Sequence, residues 1–267
     1  MLRFTKMNGA GNDFVLLDNR DGNLRLDRAT LAHLCDRHRG VGADGVLVVE
    51  SPQNGADYRM RYYNSDGGEA EMCGNGARCF ARFAGRLRAD CADVSFETMA
   101  GVISGRFVGN DVCIQMSEPH SLRLQTMLQF AGEKHAVHSI NTGVPHAAVF
   151  VADLEAVDVR KLGAALRHHE NFAPTGANAN FCQELDGQTL AIRTYERGVE
   201  GETLACGTGV VACALIFNEL TSAASPVRIK VRGGDLLTVG FDKGGGRFHN
   251  ITLTGPADFV FDGEIAL

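Results

Sequence analysis

Two stretches that lie half a chain apart share one pattern, and this pattern decides the fold. Residues 60–82 read MRYYNSDGGEAEMCGNGARCFAR, and residues 192–215 read IRTYERGVEGETLACGTGVVACAL. The two stretches can be aligned on Cys73 and Cys206. Both then have Gly-Glu five and four residues before this cysteine, the sequence Cys-Gly-x-Gly beginning with it, and a second cysteine six or seven residues after it. The alternative is a chance likeness in a glycine-rich chain. We interpret the coincidence of features as a duplication, with two related domains that each hold a strand, a Cys-Gly-x-Gly turn and a helix.

Composition narrows the class of protein. The chain has 267 residues, 45% of them hydrophobic and 22% charged, which is typical of a globular protein. Its net charge of −6 offers no basic surplus, so we expect no nucleic-acid partner. No apolar run approaches the ~20 residues that span a bilayer, and the first residues are too polar for a signal peptide. We therefore expect a cytoplasmic protein with no membrane partner.

The eight cysteines favour free thiols, because the expected compartment is reducing. The sequence contains no Cys-x-x-Cys pair, so we predict no metal site. Most of these thiols are expected to pack as small hydrophobic side chains in the interior. Cys73 and Cys206 are the exceptions, because both stand at a predicted helix start.

Short strands outnumber the predicted helices. The predicted strands are 14–18, 45–50, 58–63, 94–97, 112–116, 147–151, 190–194, 227–231 and 250–254, and the predicted helices are 28–37, 75–86, 159–167 and 208–218. This pattern predicts an α+β fold with mostly antiparallel sheets. We place the two domains at residues 1–118, with the tail 258–267 packed on them, and at residues 119–257. A linker is predicted near residues 118–124.

A cysteine at a helix start can be chemically active. The first turn of a helix presents unpaired N–H groups and the positive end of the helix dipole, which together lower a thiol pKa and bind anions. Gly74-Asn75 and Gly207-Thr208 would then hold a carboxylate beside each sulfur. Two such half-sites around one substrate suit proton transfer at the carbon α to that carboxylate, with one thiolate and one thiol on opposite faces.

Two other uses of the cysteines stay open at this stage. Cys73 and Cys206 would form a functional disulfide in a redox protein, or one cysteine would act as a covalent nucleophile with His146 as its base. The usual cofactor of amino-acid carbanion chemistry is pyridoxal phosphate. The chain has five lysines, none in a phosphate-loop context, so we predict a site without a cofactor.

The ordered motifs of the chain resemble those of the diaminopimelate epimerases. They are Lys6-Met-Asn-Gly-Ala-Gly-Asn-Asp-Phe14, Gly40-Val-Gly-Ala-Asp-Gly45, Tyr63-Asn-Ser-Asp-Gly67, Cys73-Gly-Asn-Gly-Ala-Arg-Cys79, Gly143-Val-Pro-His146, Tyr195-Glu-Arg-Gly198 and Ala205-Cys-Gly-Thr-Gly209. The resemblance implies a cofactor-independent isomerase that interconverts LL- and meso-diaminopimelate, in lysine and peptidoglycan-precursor biosynthesis. It also implies two pseudo-symmetric domains, each a mostly antiparallel sheet around a central helix, with the active site in the cleft between them.

The resemblance assigns roles to individual residues. Cys73 and Cys206 would be the acid/base pair, and Gly74, Asn75, Gly207 and Thr208 would hold the reacting carboxylate. Asn12, Asn64, Asn178 and Arg197 would contact the substrate, with Arg197 on the distal carboxylate. Glu196 and His146 would hold the α-amino group and tune the thiols. Without the resemblance, we would interpret Glu196-Arg197 as a surface ion pair, Asn12 and Asn64 as turn residues, and His146 as a structural histidine.

Three positions depart from the pattern of many family members. Val144 stands where they have Asn, Gly45 where some have Gln, and Phe261 where some have a Tyr linked to dimerisation. A homodimer is still expected. The first two departures keep open a racemase or epimerase of another amino acid, such as histidine or hydroxyproline. A non-catalytic thiol redox or binding protein is the alternative from another class.

Overall fold

The computed structural model describes residues 1–70, 73–88 and 91–267. The chain divides into two compact units. The first comprises Met1–Gln115 together with Gly255–Leu267, and the second comprises Met116–Thr254.

The first unit contains most of the N-terminal half of the chain. Its elements are β1 (Leu2–Gly9), β2 (Asn12–Asp18), α1 (Arg28–Cys35), β3 (Gly45–Glu50), β4 (Tyr58–Asn64), β5 (Glu69–Ala70), α2 (Gly74–Leu87), β6 (Asp93–Thr98), β7 (Gly101–Val108) and β8 (Asp111–Gln115). Helix α1 begins where the Asp27 carboxylate accepts a hydrogen bond from the Thr30 N–H at 2.8 Å.

The second unit follows directly along the chain. Its elements are β9 (His120–Phe130), β10 (Glu133–Asn141), β11 (Pro145–Phe150), α3 (Val159–Arg167), a 3₁₀ turn (Glu170–Phe172), β12 (Asn178–Asp186), β13 (Thr189–Glu196), β14 (Gly201–Thr203), α4 (Gly207–Thr221), β15 (Val227–Lys230), β16 (Leu236–Gly244) and β17 (Arg247–Pro256). The last strand, β18 (Asp258–Ile265), belongs to the first unit and pairs with β1.

The two units share one strand order. In the first unit the order is β18-β1-β2-β3-β4-β6-β7-β8, with β5 paired to β4. In the second it is β9-β10-β11-β12-β13-β15-β16-β17, with β14 paired to β13. The parallel pairs fall at the same two places in each, β2–β3 and β4–β6 against β11–β12 and β13–β15. This repetition confirms the pseudo-symmetric α+β fold predicted from the paired motifs.

Each sheet curves around a buried central helix. In the first unit α2 packs against seven strands, and in the second α4 packs against six. Most residues of both helices are buried, as expected for a helix enclosed by a sheet. The other sheet face is covered by α1, through Leu31 and Leu34, and by α3, through Val159 and Leu166. Alternate strand residues therefore face different helices.

The four predicted helices are confirmed, and α3 has the predicted limits. Each of the nine predicted strands overlaps an observed strand. The linker predicted near residues 118–124 is too long: residues 116–119 between β8 and β9 form no helix or strand, whereas residues 120–124 belong to β9, which pairs with β10. Its residues 120–124 are exposed, Leu122 and Leu124 included, and they begin the first strand of the β9–β10 hairpin. No helix within the described residues is long and apolar enough to cross a membrane.

Candidate functional site

Cys73 and Cys206 occupy equivalent positions, as the repeat predicts. Each is the N-cap residue of the central helix of its unit, with extended backbone angles, and the helix begins at the glycine that follows. Cys206 is 5% exposed and Cys73 is partly exposed. Each sulfur therefore lies beside the first-turn N–H groups of a helix, which are able to bind an anion.

In the second unit, three side chains connect the strand β11 to the start of α4. His146, at the start of β11, has Nε2 2.9 Å from the Thr208 hydroxyl. The Thr208 hydroxyl is in turn 3.6 Å from the sulfur of Cys206. The Thr142 hydroxyl donates to the Thr208 carbonyl at 2.9 Å and anchors this turn. His146 is thus linked to Cys206 through one hydroxyl group.

The His146 ring is completely enclosed, with 0% exposure. Burial, assisted by the positive charge of Arg197, lowers the pKa of His146 to about 3. The ring is therefore neutral at physiological pH. Its Nδ1 lies 3.3 Å from the amide nitrogen of Asn180, so both ring nitrogens have a polar neighbour within the unit.

Asn180 is a functional candidate that the sequence reasoning missed. It lies on β12 with 0% exposure, two residues after Asn178, which is 3% exposed. Alternate residues of a strand share a face, so Asn178 and Asn180 point to the same side of β12. Two asparagines at this spacing on an otherwise apolar strand were the sequence signal that could have identified Asn180. Gly209 makes room for this group, because a Cβ there would lie 2.7 Å from Asn180 Oδ1. The second glycine of the motif therefore serves packing against β12.

The predicted substrate residues of the second unit lie at strand ends. The Asn178 side-chain oxygen accepts the backbone N–H of Arg197 at 2.7 Å, which fixes the turn after β13. The Arg197 guanidinium is partly exposed and donates to the Thr175 carbonyl at 3.4 Å. Glu196 is the last residue of β13 and is partly exposed. The structure thus brings Asn178 and Arg197 together directly.

In the first unit, a series of side-chain hydrogen bonds connects Asp44 to residues at the start of α2. Asp44 accepts the Asn12 amide at 2.8 Å, and Asn12 accepts the Asn75 amide at 2.7 Å. Asn75 then accepts the Arg78 guanidinium at 3.0 Å. Arg78 is fully buried and also donates to the Pro256 carbonyl at 3.2 Å. Asp44 and Arg78 were not predicted, and together they orient the two predicted amides.

A cluster of ion pairs holds Asp44, the first residue of this hydrogen-bonded series, in place. Lys6 is 2.7 Å from Asp13, and Arg37 bridges Asp13 at 2.7 Å and Asp44 at 2.9 Å. Burial disfavours the ionised form of Asp13, but the hydrogen bonds from Arg37 and Lys6 outweigh it and lower its pKa to about 2. Asp13 therefore remains charged at neutral pH and holds both cations in place. Asn64 stands apart from the cluster, exposed at the end of β4.

The other cysteines behave as the sequence predicts for core residues. Those that are buried are Cys35, Cys79, Cys113, Cys182 and Cys213. Burial raises the pKa of Cys79 to about 12, so this second cysteine of the first motif is a neutral thiol. Cys182 and Cys213 lie 3.4 Å apart, and this contact raises the pKa of Cys213. Neither second cysteine of the repeat has an activated environment.

The structure shows the surroundings of the three residues that differ from many family members, Gly45, Phe261 and Val144. A Cβ at Gly45 would lie 2.6 Å from the Tyr63 carbonyl and 2.7 Å from the Tyr62 ring, so a side chain would require the strand to shift. Phe261 is 48% exposed on β18, and its ring lies edge-on to Phe4 at 5.8 Å. Val144 is partly exposed, and its carbonyl accepts the Thr142 N–H at 3.2 Å.

The described part of the chain contains no cluster of three His, Cys, Asp or Glu side chains that could hold a metal ion. What the two half-sites offer is a sulfur, a helix start and oriented amides in each unit. This combination can bind a carboxylate and exchange a proton with its neighbouring carbon.

Comparison with known proteins agrees with these features. A sequence model of the family described as diaminopimelate epimerase matches residues 4–121 and 138–260. A protein of Aquifex aeolicus named diaminopimelate epimerase is 42% identical to this chain. The alignment is 277 residues long with its gaps, and it covers 99% of this chain and 98% of that protein.

Solved structures share the fold at much lower identity. A phenazine biosynthesis protein of the PhzF family from Bacillus anthracis has a TM-score of 0.76 at 16% identity, covering 100% of this chain and 99% of that chain. A hydroxyproline epimerase from Agrobacterium vitis has a TM-score of 0.72 at 16% identity, covering 99% and 90%. These likenesses concern the fold alone. From the family match and the relative at 42% identity, the chain belongs to the diaminopimelate epimerase family.

Proposed function

We propose that this protein interconverts LL- and meso-diaminopimelate by moving the proton on one α-carbon, without a cofactor. The observation that carries the proposal is the paired placement of Cys73 and Cys206 as N-cap residues of equivalent helices. Membership of the family supplies the substrate. The proposal places the product in lysine and peptidoglycan-precursor biosynthesis.

In the proposed reaction, one cysteine acts as a thiolate and the other as a thiol. The thiolate removes the α-proton from one face, and the thiol gives its proton to the opposite face, so the configuration inverts and the number of protons is unchanged. The first-turn N–H groups at Gly74-Asn75 and Gly207-Thr208 stabilise the negative charge that develops on the α-carboxylate. The two cysteines exchange roles for the reverse direction.

We assign the remaining residues to recognition. Asn12, Asn64 and Asn178 contact the polar ends of the substrate, and Arg197 pairs with the distal carboxylate, where its planar fork suits two oxygens. Glu196 completes the site around the α-amino group, whereas His146, whose buried ring is hydrogen-bonded at both nitrogens, acts on Cys206 through Thr208. The rigid supports of Asn12 and Asn178 favour this assignment, because a pre-set amide loses little freedom when it binds a ligand.

The direct test uses purified, reduced protein and LL-diaminopimelate with no added cofactor or metal. We expect meso product from the wild type and from Cys35→Ser, a substitution in the core. Cys73→Ser and Cys206→Ser should each lower the rate by about a thousandfold or more while the circular dichroism spectrum stays unchanged. Full activity in either of these two variants would remove the two-base mechanism.

A second candidate is a racemase or epimerase of another amino acid. Gly45 and Val144 favour it, because neither supplies the polar side chain that other family members place there. A panel of amino acids incubated with the protein separates the two, since proton exchange on histidine or hydroxyproline in place of diaminopimelate would establish the second candidate. Exchange on no amino acid would favour the thiol redox or binding protein instead.

We further propose a cytoplasmic homodimer. The eight thiols suit a reducing compartment. Strand β18 exposes a short apolar row, Phe259 at 42%, Val260 at 56% and Phe261 at 48%, which a second copy would cover. Sedimentation velocity of the wild type and of Val260→Lys tests this, because the charge should shift the protein to monomer.

The domain limits of 1–118 with 258–267, and 119–257, stay a prediction.

A further inference from the structure

The orientation of the Asn180 side chain is set by its two ends. The Thr194 hydroxyl donates to Asn180 Oδ1 at 3.0 Å, and Asn180 Nδ2 donates to the Ala147 carbonyl at 3.0 Å. A flipped amide would place its oxygen against that carbonyl oxygen, where no hydrogen bond can form. The amide nitrogen of Asn180 therefore faces β11.

This orientation selects the tautomer of His146. Asn180 Nδ2 can only donate, and after the Ala147 carbonyl its nearest neighbour is His146 Nδ1 at 3.3 Å, ahead of the Asn178 carbonyl at 3.4 Å. This contact is a hydrogen bond when Nδ1 accepts. The ring is neutral, because burial and the nearby positive charge of Arg197 lower its pKa to about 3. A neutral imidazole whose Nδ1 accepts carries its one proton on Nε2. That N–H donates to the Thr208 hydroxyl oxygen at 2.9 Å.

The direction of these hydrogen bonds also fixes the one between Thr208 and the Cys206 sulfur. Because the Thr208 oxygen accepts the proton of His146, the single proton of its hydroxyl is directed to Cys206 Sγ, at 3.6 Å. A hydrogen bond donated to a sulfur favours the charged thiolate over the neutral thiol. The start of α4 acts on the same sulfur in the same sense, through the positive end of the helix dipole.

We propose that Asn180 is a positioning residue that sets a one-way series of hydrogen bonds, from Asn180 through His146 and Thr208 to the Cys206 sulfur, and so favours the thiolate that receives the α-proton. His146 is a hydrogen-bond donor in this series and never needs to be protonated or deprotonated. The catalytic meaning of the series rests on the proposed function, whereas the direction of the hydrogen bonds does not.

The first experiment reads the tautomer directly. Protein labelled with ¹⁵N-histidine, free of substrate, is observed by NMR at pH 5–9, and the ring of His146 is assigned by the loss of its signals in His146→Gln. We expect an unprotonated Nδ1 and a protonated Nε2, unchanged over this range. A ring with its proton on Nδ1, or a doubly protonated ring, would overturn the proposal. Neither result depends on the protein acting on diaminopimelate.

Matched variants then separate positioning from packing. Asn180→Leu removes the donor to Nδ1, and Asn218→Leu makes the same change at a buried asparagine of α4 that bonds to the Ala223 carbonyl. We expect a second His146 tautomer to appear, and kcat to fall about tenfold, in Asn180→Leu only. The same histidine spectrum in both leucine variants and the wild type would refute the role of Asn180.

The Thr208 hydroxyl is tested by two substitutions that keep its backbone N–H. Thr208→Val removes the hydroxyl and should lower kcat about tenfold to a hundredfold, as expected for loss of one hydrogen bond to a charged atom. Thr208→Ser keeps the hydroxyl and should restore most of kcat. Equal losses in both variants would contradict the proposed series. A wild type with the expected tautomer but no epimerase activity would count against the proposed function alone.

Discussion

The buried His146 should make the protein sensitive to mild acid in a way that can be worked out in advance. Its pKa is lowered from 6.5 to about 3 by burial first and by the charge of Arg197 second. In the unfolded chain the same ring takes up a proton near pH 6.5. Between these values the unfolded state binds more protons than the folded state, so stability falls as the pH falls.

The size of the effect follows from the two pKa values. At pH 5 an unfolded histidine is almost fully protonated, and this favours unfolding by about 2 kcal/mol relative to pH 8. Asp13, with its pKa lowered to about 2, contributes stability that is lost as the pH falls through that value, so most of its effect lies below pH 5. Burial also lowers the pKa of His138, which therefore contributes in the same interval, so the effect of His146 is the difference between the wild type and a variant that lacks this ring.

Urea unfolding followed by circular dichroism at pH 8, 6.5 and 5 measures this effect. The wild type should lose about 2 kcal/mol more than His146→Gln between pH 8 and pH 5, because glutamine does not titrate. The control is His33→Gln, at an exposed position of α1, which should keep the pH dependence of the wild type. Equal losses in the wild type and in His146→Gln would refute the reasoning about this ring.

Three further substitutions test other parts of the two half-sites. Gly209→Ala should lower stability by about 1–3 kcal/mol in urea unfolding, since its Cβ would lie 2.7 Å from Asn180 Oδ1, and unchanged stability would contradict this close contact. Arg78→Met should lower the thermal midpoint and raise KM, because it removes the donor to Asn75 at 3.0 Å; a shift in neither quantity would show that Asn75 needs no support. Arg197→Ala should lower kcat/KM for diaminopimelate about tenfold to a hundredfold, and an unchanged value would exclude the distal carboxylate as its partner.

The features set by local sequence were predictable. The helix starts at Cys73 and Cys206 depend on neighbouring glycines and on the apolar residues that follow, and the structure has them at the predicted positions. Half of the strands in the described residues were not predicted, and two of these, β9 and β18, show why. Strand β9 carries mostly exposed residues and owes its form to pairing with β10, and β18 pairs with β1 across almost the whole length of the chain. Such pairing depends on partners that a local pattern does not contain.

The same limit applies to the site. The predicted site residues follow recognisable motifs for the most part, whereas Asn180 stands in none, and Asp44 stands in the motif of residues 40–45 without having been given a role. Asn180 reaches His146 only because β11 and β12 are parallel and in register, with Ala148 opposite Asn180. Asp44 reaches Asn12 because β2 and β3 are parallel, with Phe14 opposite Gly45. These supports follow from strand register, which the sequence alone leaves open.

The measurement that bears most directly on the two-base reaction follows deuterium during the first turnovers in D₂O. LL-diaminopimelate is incubated with the reduced protein, and product and remaining substrate are separated before equilibrium and examined by mass spectrometry and NMR. In the proposed reaction the new α-hydrogen comes from the second cysteine, so meso product should carry one α-deuterium while remaining LL substrate carries none. Deuterium in the remaining substrate at the same level as in product, or product that keeps its original hydrogen, would contradict two separate bases.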